Sequence, residues 1–320
     1  QTDIKGTLDI ATLGGMYANQ IQLVATGTGV GVRVDGTLVS AGNVSITSDG
    51  QLINTGSINA QGQLKTQTVN LENSGTLNGQ TLDVSVDKFL NWGAGTVASN
   101  QESVIHATTL NNLGRIHTEG ATTFDTRRVN NSGVMEATGR LAVNQAWTVE
   151  NSGHIRGGDV TIISQALGNT GRIEVNSLDV SAYATALVPT SDRLTDTTVN
   201  NTGLVAADRI SVTGFNKLIN TNQISTDIVS PSSSIDSGKL LVQADTLDNT
   251  GGRIVARGNL DVVVANLNNA QSTLSTKGNL SIVASQNIIN DAGLILHQGT
   301  GTALVQAASA ISNAAGQIEG

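Results

Sequence analysis

The sequence predicts an all-β fold, a parallel β-helix (β-solenoid) with turns of about 20 residues. An Asn-x-Gly marker returns at a nearly constant spacing, which is typical of a repeat architecture. Between the markers, apolar and polar residues alternate, which is typical of strands with one buried face. Short strands joined by corners, with no helices between them, can pair in parallel only if each turn of a coil lies on the previous turn.

The markers delimit the predicted turns. Complete markers occur at Asn54 and Gly56, Asn73 and Gly75, Asn91 and Gly93, Asn112 and Gly114, Asn131 and Gly133, Asn151 and Gly153, Asn169 and Gly171, Asn201 and Gly203, and Asn249 and Gly251. Partial markers lie at Asn220, Asn269, Asn290 and Asn313. We expect each glycine to turn a corner with a positive φ, and each asparagine to face inward, where the amide of the next turn satisfies it.

The alternation is clear after Gly133, where Met135, Ala137, Leu141 and Val143 occupy every second position, with Gly139 in phase. Helical spacing is not sustained anywhere. A leucine-rich repeat has a similar period, but its leucine signature and helical return segment do not fit this sequence.

Two intervals between markers are longer than the others and enclose residues 183–197 and 225–238. They contain the only two prolines, Pro189 and Pro231, and proline is excluded from central strands. These segments are therefore interpreted as loops inserted into the coil. The predicted organisation is one continuous rod, with first coils in residues 1–50 and regular repeats in residues 51–320.

Composition limits the function classes. The net charge is −8 and only 13% of residues are charged, with no basic run longer than Arg127-Arg128, so a nucleic-acid partner is not expected. Cysteine is absent, which excludes a disulfide framework and a thiolate site. No stretch is apolar enough for a membrane-spanning helix. The first residues show no secretion signal and no initiator Met, so we expect a piece of a longer polypeptide.

The string LGGMYANQIQLVATGTGVGVRVDGTL (13–38) resembles a segment of the filamentous haemagglutinin family of large bacterial exoproteins, which includes the effectors of contact-dependent growth inhibition. The residues that carry the resemblance are Gly15, Met16, Tyr17, Ile21, Leu23, Gly29 and Val30, whereas a final Gly-Val pair falls as Gly31-Val32. Repeats such as LINTGSINAQGQL (52–64) also resemble the haemagglutinin repeats. Together these similarities cover essentially the whole chain.

The resemblance implies a right-handed β-helical rod, secreted by a Gram-negative bacterium through an outer-membrane partner pore of the two-partner pathway. It implies a non-enzymatic shaft with no cofactor, which supports adhesion or projects a terminal toxin or receptor-binding module to a neighbouring cell. The expected partners are that pore and a surface protein or glycan of the contacted cell. The secretion domain of the family has no match here, so we do not expect this chain to direct its own export or to insert into a membrane.

Other candidate sites are weaker. Basic residues follow several corner glycines, at Arg115, His154, Arg172 and Arg253, and would form a stripe that binds anionic glycans if they line up on the outside of the coil. His106, His117, His154 and His297 fall at different phases of the repeat, so we expect surface histidines and no metal site. The glycines of TGTGVGV (26–32) lack the following helix or lysine of a phosphate-binding loop.

The rival function is that of a polysaccharide-cleaving or glycan-binding β-helix. Cleavage needs clustered carboxylates, and Asp192, Arg193 and Asp196 in the first insertion are the best source. We expect this segment to be a solvated polar loop.

Overall fold

The computed structural model describes residues 7–10, 14–183, 196–228 and 236–320. All regular secondary structure in these ranges is β-strand. The strands pair in parallel with equivalent strands about 20 residues away, so the predicted fold class, an all-β parallel solenoid, is confirmed. Contacts divide the chain into two compact units, Gln1–Asn144 and Gln145–Gly320.

The first unit contains fourteen complete described strands and the beginning of a fifteenth. They are β1 (Thr7–Ile10), β2 (Gly15–Ala18), β3 (Ile21–Ala25), β4 (Gly31–Val34), β5 (Thr37–Ser40), β6 (Val44–Ser48), β7 (Gln51–Asn54), β8 (Ser57–Gln67), β9 (Asn70–Asn73), β10 (Thr76–Asn91), β11 (Thr96–Ser99), β12 (Ser103–Asn112), β13 (Arg115–Thr118), β14 (Thr122–Asn131) and β15 (Val134–Asn151).

The second unit contains the end of β15 and the remaining described strands. They are β16 (His154–Asn169), β17 (Arg172–Ala182), β18 (Thr198–Asn201), β19 (Leu204–Asn220), β20 (Gln223–Ser225), β21 (Leu240–Asp248), β22 (Arg253–Ala256), β23 (Leu260–Asn268), β24 (Thr273–Thr276), β25 (Leu280–Ile289), β26 (Leu294–His297), β27 (Ala303–Ala307), β28 (Ala310–Ser312) and β29 (Gln317–Glu319). Much of the two predicted insertions lies outside the described residues.

Each regular turn has three sides. Side A ends in the marker asparagine, as in residues 70–73; side B follows the corner, as in residues 76–79; and side C closes the turn, as in residues 82–86. Each side pairs only with the same side of the turns before and after it, so that Asn73 lies in register with Asn54 and Asn91. Long strands such as β10 run through more than one side.

The interior is filled by the alternate residues that the sequence pattern predicts. In β12 the inward side chains of Ile105 and Leu110 are fully buried, whereas His106 between them is exposed. The largest fully buried side chains in the first unit are Phe89 and Phe124, each on the inner face of its strand. Since aliphatic and small side chains supply most of the remaining core, hydrophobic burial along the whole coil holds the turns together.

The corner glycines differ from the expectation. Gly56, Gly75, Gly114, Gly133 and Gly171 do not have a positive φ, so the prediction of a left-handed corner is wrong for them. Glycine is needed for a different reason, since a Cβ here would overlap the carbonyl oxygen of the glycine one turn earlier. The next residue uses that oxygen, as when Arg115 N donates to Gly95 O at 2.9 Å. The backbones of successive corners therefore approach too closely for any side chain.

In two of the turns that have a complete marker, the glycine that packs against the preceding turn lies one or two residues after the marker glycine. After Asn91 the packing position is taken by Gly95, since a Cβ on Gly93 would meet nothing within 4 Å. After Asn249 it is taken by Gly252, while Gly251 has a φ of +73°. The corner can therefore absorb extra residues without moving the asparagine or the strand that follows.

This close approach can be tested with Gly114→Ala. Because the added methyl group overlaps the carbonyl oxygens of Gly95 and Trp92 on the preceding turn, we expect an unfolding free energy lower by about 1–3 kcal/mol, as for other overpacked sites. Gly93→Ala is the matched control and should change it by less than about 0.5 kcal/mol, as surface changes do. Urea denaturation followed by circular dichroism measures both; equal effects would show that the glycines act through corner flexibility alone.

Candidate functional site

The inner end of side A in the first unit carries a ladder of asparagine side chains. Each amide nitrogen Nδ2 donates to the Oδ1 of the next asparagine along the chain. The distances are 2.7 Å from Asn54 to Asn73, 2.8 Å from Asn73 to Asn91, 2.8 Å from Asn91 to Asn112 and 2.8 Å from Asn112 to Asn131. All five side chains are buried.

The second unit carries a ladder of the same geometry. Its hydrogen bonds measure 2.7–2.9 Å and join Asn151, Asn169, Asn201, Asn220, Asn249, Asn269, Asn290 and Asn313 in that order. The long chain intervals from Asn169 to Asn201 and from Asn220 to Asn249 do not interrupt it. The insertions therefore leave the core of the unit in register.

Every bond in the two ladders points the same way, with the earlier asparagine as the donor. At the neighbouring corner of the first unit the backbone runs the other way, as where Ser132 N donates to Asn112 O at 2.9 Å, whereas a later corner of the second unit runs forward, with Gln271 N donating to Asp291 O at 3.0 Å. The second amide proton is also used, and Asn112 Nδ2 reaches Val134 O at 3.0 Å. The first ladder starts at Asn54, whose buried Oδ1 has no partner among the described residues because Val34 occupies the equivalent place one turn earlier.

The predicted basic stripe is neutralised over part of its length. Arg115 Nη2 lies 2.7 Å from the carboxylate of Glu136, and Arg172 Nη2 lies 2.6 Å from that of Glu174. The hydrogen bond from Arg172, followed by smaller effects of that guanidinium and of His154, holds the pKa of Glu174 below its usual value.

Within the second unit, three of the four stripe residues fall on one line of side B. His154 is in register with Arg172, and the line continues through Leu204 and Gln223 to Arg253. Uncharged side chains separate Arg253 from the other two, and Glu174 lies beside them. The predicted stripe is therefore interrupted and partly neutralised, which does not favour strong binding of a polyanion.

The histidines are not equivalent. His106 is half exposed beside Asp125, and His117 and His154 contact Glu136 and Glu174. His297, expected at the surface, is buried because it takes the inner position that Thr276 holds one turn earlier. Within the described ranges, no three His, Asp or Glu side chains come together as a metal site requires.

The polysaccharide-cleaving alternative gains no support from geometry. Asp192 and Arg193 lie outside the described residues, and Asp196 is exposed at the start of the following described segment. No helix of the described chain is long and apolar enough to cross a membrane.

Sequence reasoning missed a buried polar cluster at the base of the second insertion. Asp208 and Thr226 are almost completely buried there, and Arg257 and Ser237 contact Asp208. The only signal in the sequence was the insertion itself, because the partners are separated by up to 49 residues.

Two curated relatives are similar to the chain. The toxin CdiA of Yersinia pestis is 49% identical over 75 residues, which is 23% of this chain and 2% of that protein. The 16S rRNA endonuclease CdiA of Enterobacter cloacae is 27% identical over 259 residues, which is 77% of this chain and 7% of that protein. The chain thus spans a small fraction of either relative.

These similarities bear out the resemblance to the filamentous haemagglutinin-like exoproteins that the sequence predicts. No protein-family model matches the chain, and no solved structure matches it.

The ladder can be tested with Asn131→Leu. Because the substitution leaves the buried amide of Asn112 without its acceptor, we expect a loss of about 1–3 kcal/mol in unfolding free energy, the usual cost of an unsatisfied buried polar group. The control is Asn130→Leu, since this neighbouring amide is exposed and bonds Asn111 on the outer face. If both variants melt at the temperature of the unchanged protein, the ladder does not contribute to stability.

The outer ion pairs predict a pH dependence. Because the pKa of Glu174 is lowered by folding, its ionised form stabilises the chain above the pKa of the unfolded state, and this contribution disappears as the pH falls through the folded pKa. Glu174→Gln should cost about 0.5–1 kcal/mol at pH 7, as partly exposed pairs do, and nothing at a pH below both pKa values. Denaturation at several pH values, with the exposed Asp159→Asn as control, measures this; a pH-independent cost would refute the charge mechanism.

Proposed function

We propose that this chain is a non-enzymatic shaft segment of a secreted exoprotein of the contact-dependent inhibition type. The observation that carries the proposal is the unbroken asparagine ladder within each unit. Each turn adds one rung and one set of backbone hydrogen bonds, so additional sequence becomes additional length. This is the property that a spacer needs, and an enzyme does not require it.

The two relatives support this assignment. Their names describe a toxin and a 16S rRNA endonuclease, but the chain corresponds to 2% and 7% of their lengths. We place any toxic activity of a parent protein outside this chain, which carries such a module towards a neighbouring cell. A parent that is an adhesin would use the same shaft to hold a receptor-binding module away from its own surface.

The proposed location is the outside of a Gram-negative cell, reached through an outer-membrane pore of the two-partner type. The proposed contacts of the parent protein are that pore and a surface protein or glycan of the contacted cell. The partial neutralisation of Arg115 and Arg172 by carboxylates favours recognition outside the basic stripe. Loops on a rigid scaffold can vary without disturbing its core, so the insertions are the preferred positions for recognition.

The shaft function can be tested by deleting whole turns. Deletion of residues 74–112 removes two turns and joins Asn73 to the corner that follows Asn112, so that the ladder stays in phase. We expect a folded protein whose first unit is shorter by about 10 Å, because adjacent turns lie about 4.8 Å apart. Small-angle scattering and thermal melting measure these quantities.

The matched control is deletion of residues 74–121, which joins the end of side A to side C and should unfold the coil. In a complete parent exoprotein, the in-phase deletion should retain inhibition of neighbouring cells and the out-of-phase deletion should lose it. A folded in-phase variant without inhibitory activity would show that residues 74–112 perform a specific task beyond spacing.

A further inference from the structure

The second insertion leaves and rejoins the coil at one corner, between sides B and C of the second unit. Residues 225–228 lead into it and residues 236–239 lead out of it. The strands on either side of it stay in register with the neighbouring turns, β20 with β22 and β21 with β23. The contacts at these two ends determine how the insertion is mounted on the shaft.

The outgoing end is built into the regular corner. Gly238 N donates to Asp208 O at 2.7 Å, and Gly258 N donates to Gly238 O at 2.8 Å, so Gly238 takes its place in a column of corner backbone bonds. Its φ of +79° and the proximity of Gly258 N to any added Cβ leave room only for glycine. The chain therefore returns to the coil at a fixed point and in a fixed direction.

The incoming end is joined to the outgoing end through one hydroxyl group. Thr226 is fully buried, and its Oγ1 donates to Gly238 O at 2.7 Å while it accepts a hydrogen bond from Arg257 N at 2.9 Å. The backbone nitrogen of Thr226 donates to Val255 O at 2.9 Å. A single side chain thus connects both ends of the insertion to the next turn.

A charge pair with a buried carboxylate and a partly exposed guanidinium joins the same base. Asp208, on the preceding turn, is only 4% exposed, and its carboxylate accepts hydrogen bonds from Ser237 Oγ at 2.8 Å and from Arg257 Nη2. Arg257 Nη2 also donates to Ser237 Oγ at 3.0 Å. If Arg257 moved away, the buried carboxylate of Asp208 would lose this counter-charge, which is costly. The pair therefore favours the arrangement in which both ends of the insertion stay bonded to the coil.

We propose that Asp208, Thr226, Ser237, Gly238 and Arg257 form a socket that mounts the second insertion independently of what the insertion contains. The socket bonds the incoming end to the outgoing end and fastens both to the turns before and after. The stretch between them can then change in length and sequence without a change in the coil, which makes this corner a position for displaying a recognition segment. The inference goes beyond the shaft function, since a plain spacer needs no such base.

Hydrogen exchange followed by mass spectrometry tests the socket in the full chain. Thr226→Val keeps the shape of the side chain and removes its hydroxyl, so we expect exchange of the backbone amides of Gly238 and Arg257 to become at least about tenfold faster, as in local opening. Thr221→Val, at the exposed corner between sides A and B of the same turn, is the control and should leave these rates unchanged. If Thr226→Val fails to fold, Ser237→Ala provides the same readout with a smaller change.

Replacement of the inserted residues tests whether the socket is independent of what the insertion contains. Replacement of residues 229–235 by Gly and Ser, at the natural length and again with about ten extra residues, should leave the melting temperature and the protection of Gly238 unchanged, because loop length adds little free energy. Loss of protection in these replacements would overturn the proposal, since the insertion itself would then hold its base together. Unchanged exchange in Thr226→Val and Ser237→Ala would also overturn it. Neither result depends on whether whole-turn deletions shorten the shaft.

Discussion

From Asn54 onwards, the fold depends on the placement of one polar amide inside each turn of an apolar coil. A buried amide without partners would cost about 1–3 kcal/mol. The amides one turn before and one turn after bond its oxygen and one N–H group, and the second N–H group reaches a backbone carbonyl, as from Asn112 to Val134 O. The ladder holds side A in register, and the corner backbones beside it approach so closely that only glycine fits. Both contacts repeat once per turn, which gives the markers their spacing, and the insertions leave the ladder in place.

Much of this architecture could be predicted because a repeat protein makes the same contacts in every turn, so the residues that make them recur at a fixed spacing in the sequence. The spacing of Asn54 and Asn73 gives the length of a turn, and alternation after Gly133 gives the buried face of a strand. The reason for the glycines could not be obtained in this way, since it lies in the carbonyl oxygen of another turn. The spacing also did not reveal that Gly95, and not Gly93, packs against the preceding turn. The next asparagine still falls near the expected distance, so the period looks undisturbed.

The outer surface was less predictable than the core. In the sequence, Arg115 and Arg172 are basic residues that follow corner glycines and have no evident partner. In the structure, each forms an ion pair with a carboxylate on the outer surface of the coil. His297 is buried because, in its turn, side B is shifted along the sequence relative to the marker asparagine. The position of His297 within the repeat did not reveal this shift. The contact between Asp208 and Arg257 joins turns that an insertion separates in sequence, so no period points to it.

The opposite directions of the asparagine ladder and of the neighbouring corner backbone have an electrostatic consequence. In an α-helix, aligned peptide dipoles add up to a charge of roughly half an electron at each end. Here the side-chain N–H groups point towards later turns and the adjacent corner N–H groups point towards earlier ones, as at Asn112 and Ser132. At such a corner the two rows of dipoles offset each other. The ends of a stack of such corners therefore carry less partial charge than two rows of aligned dipoles would give them.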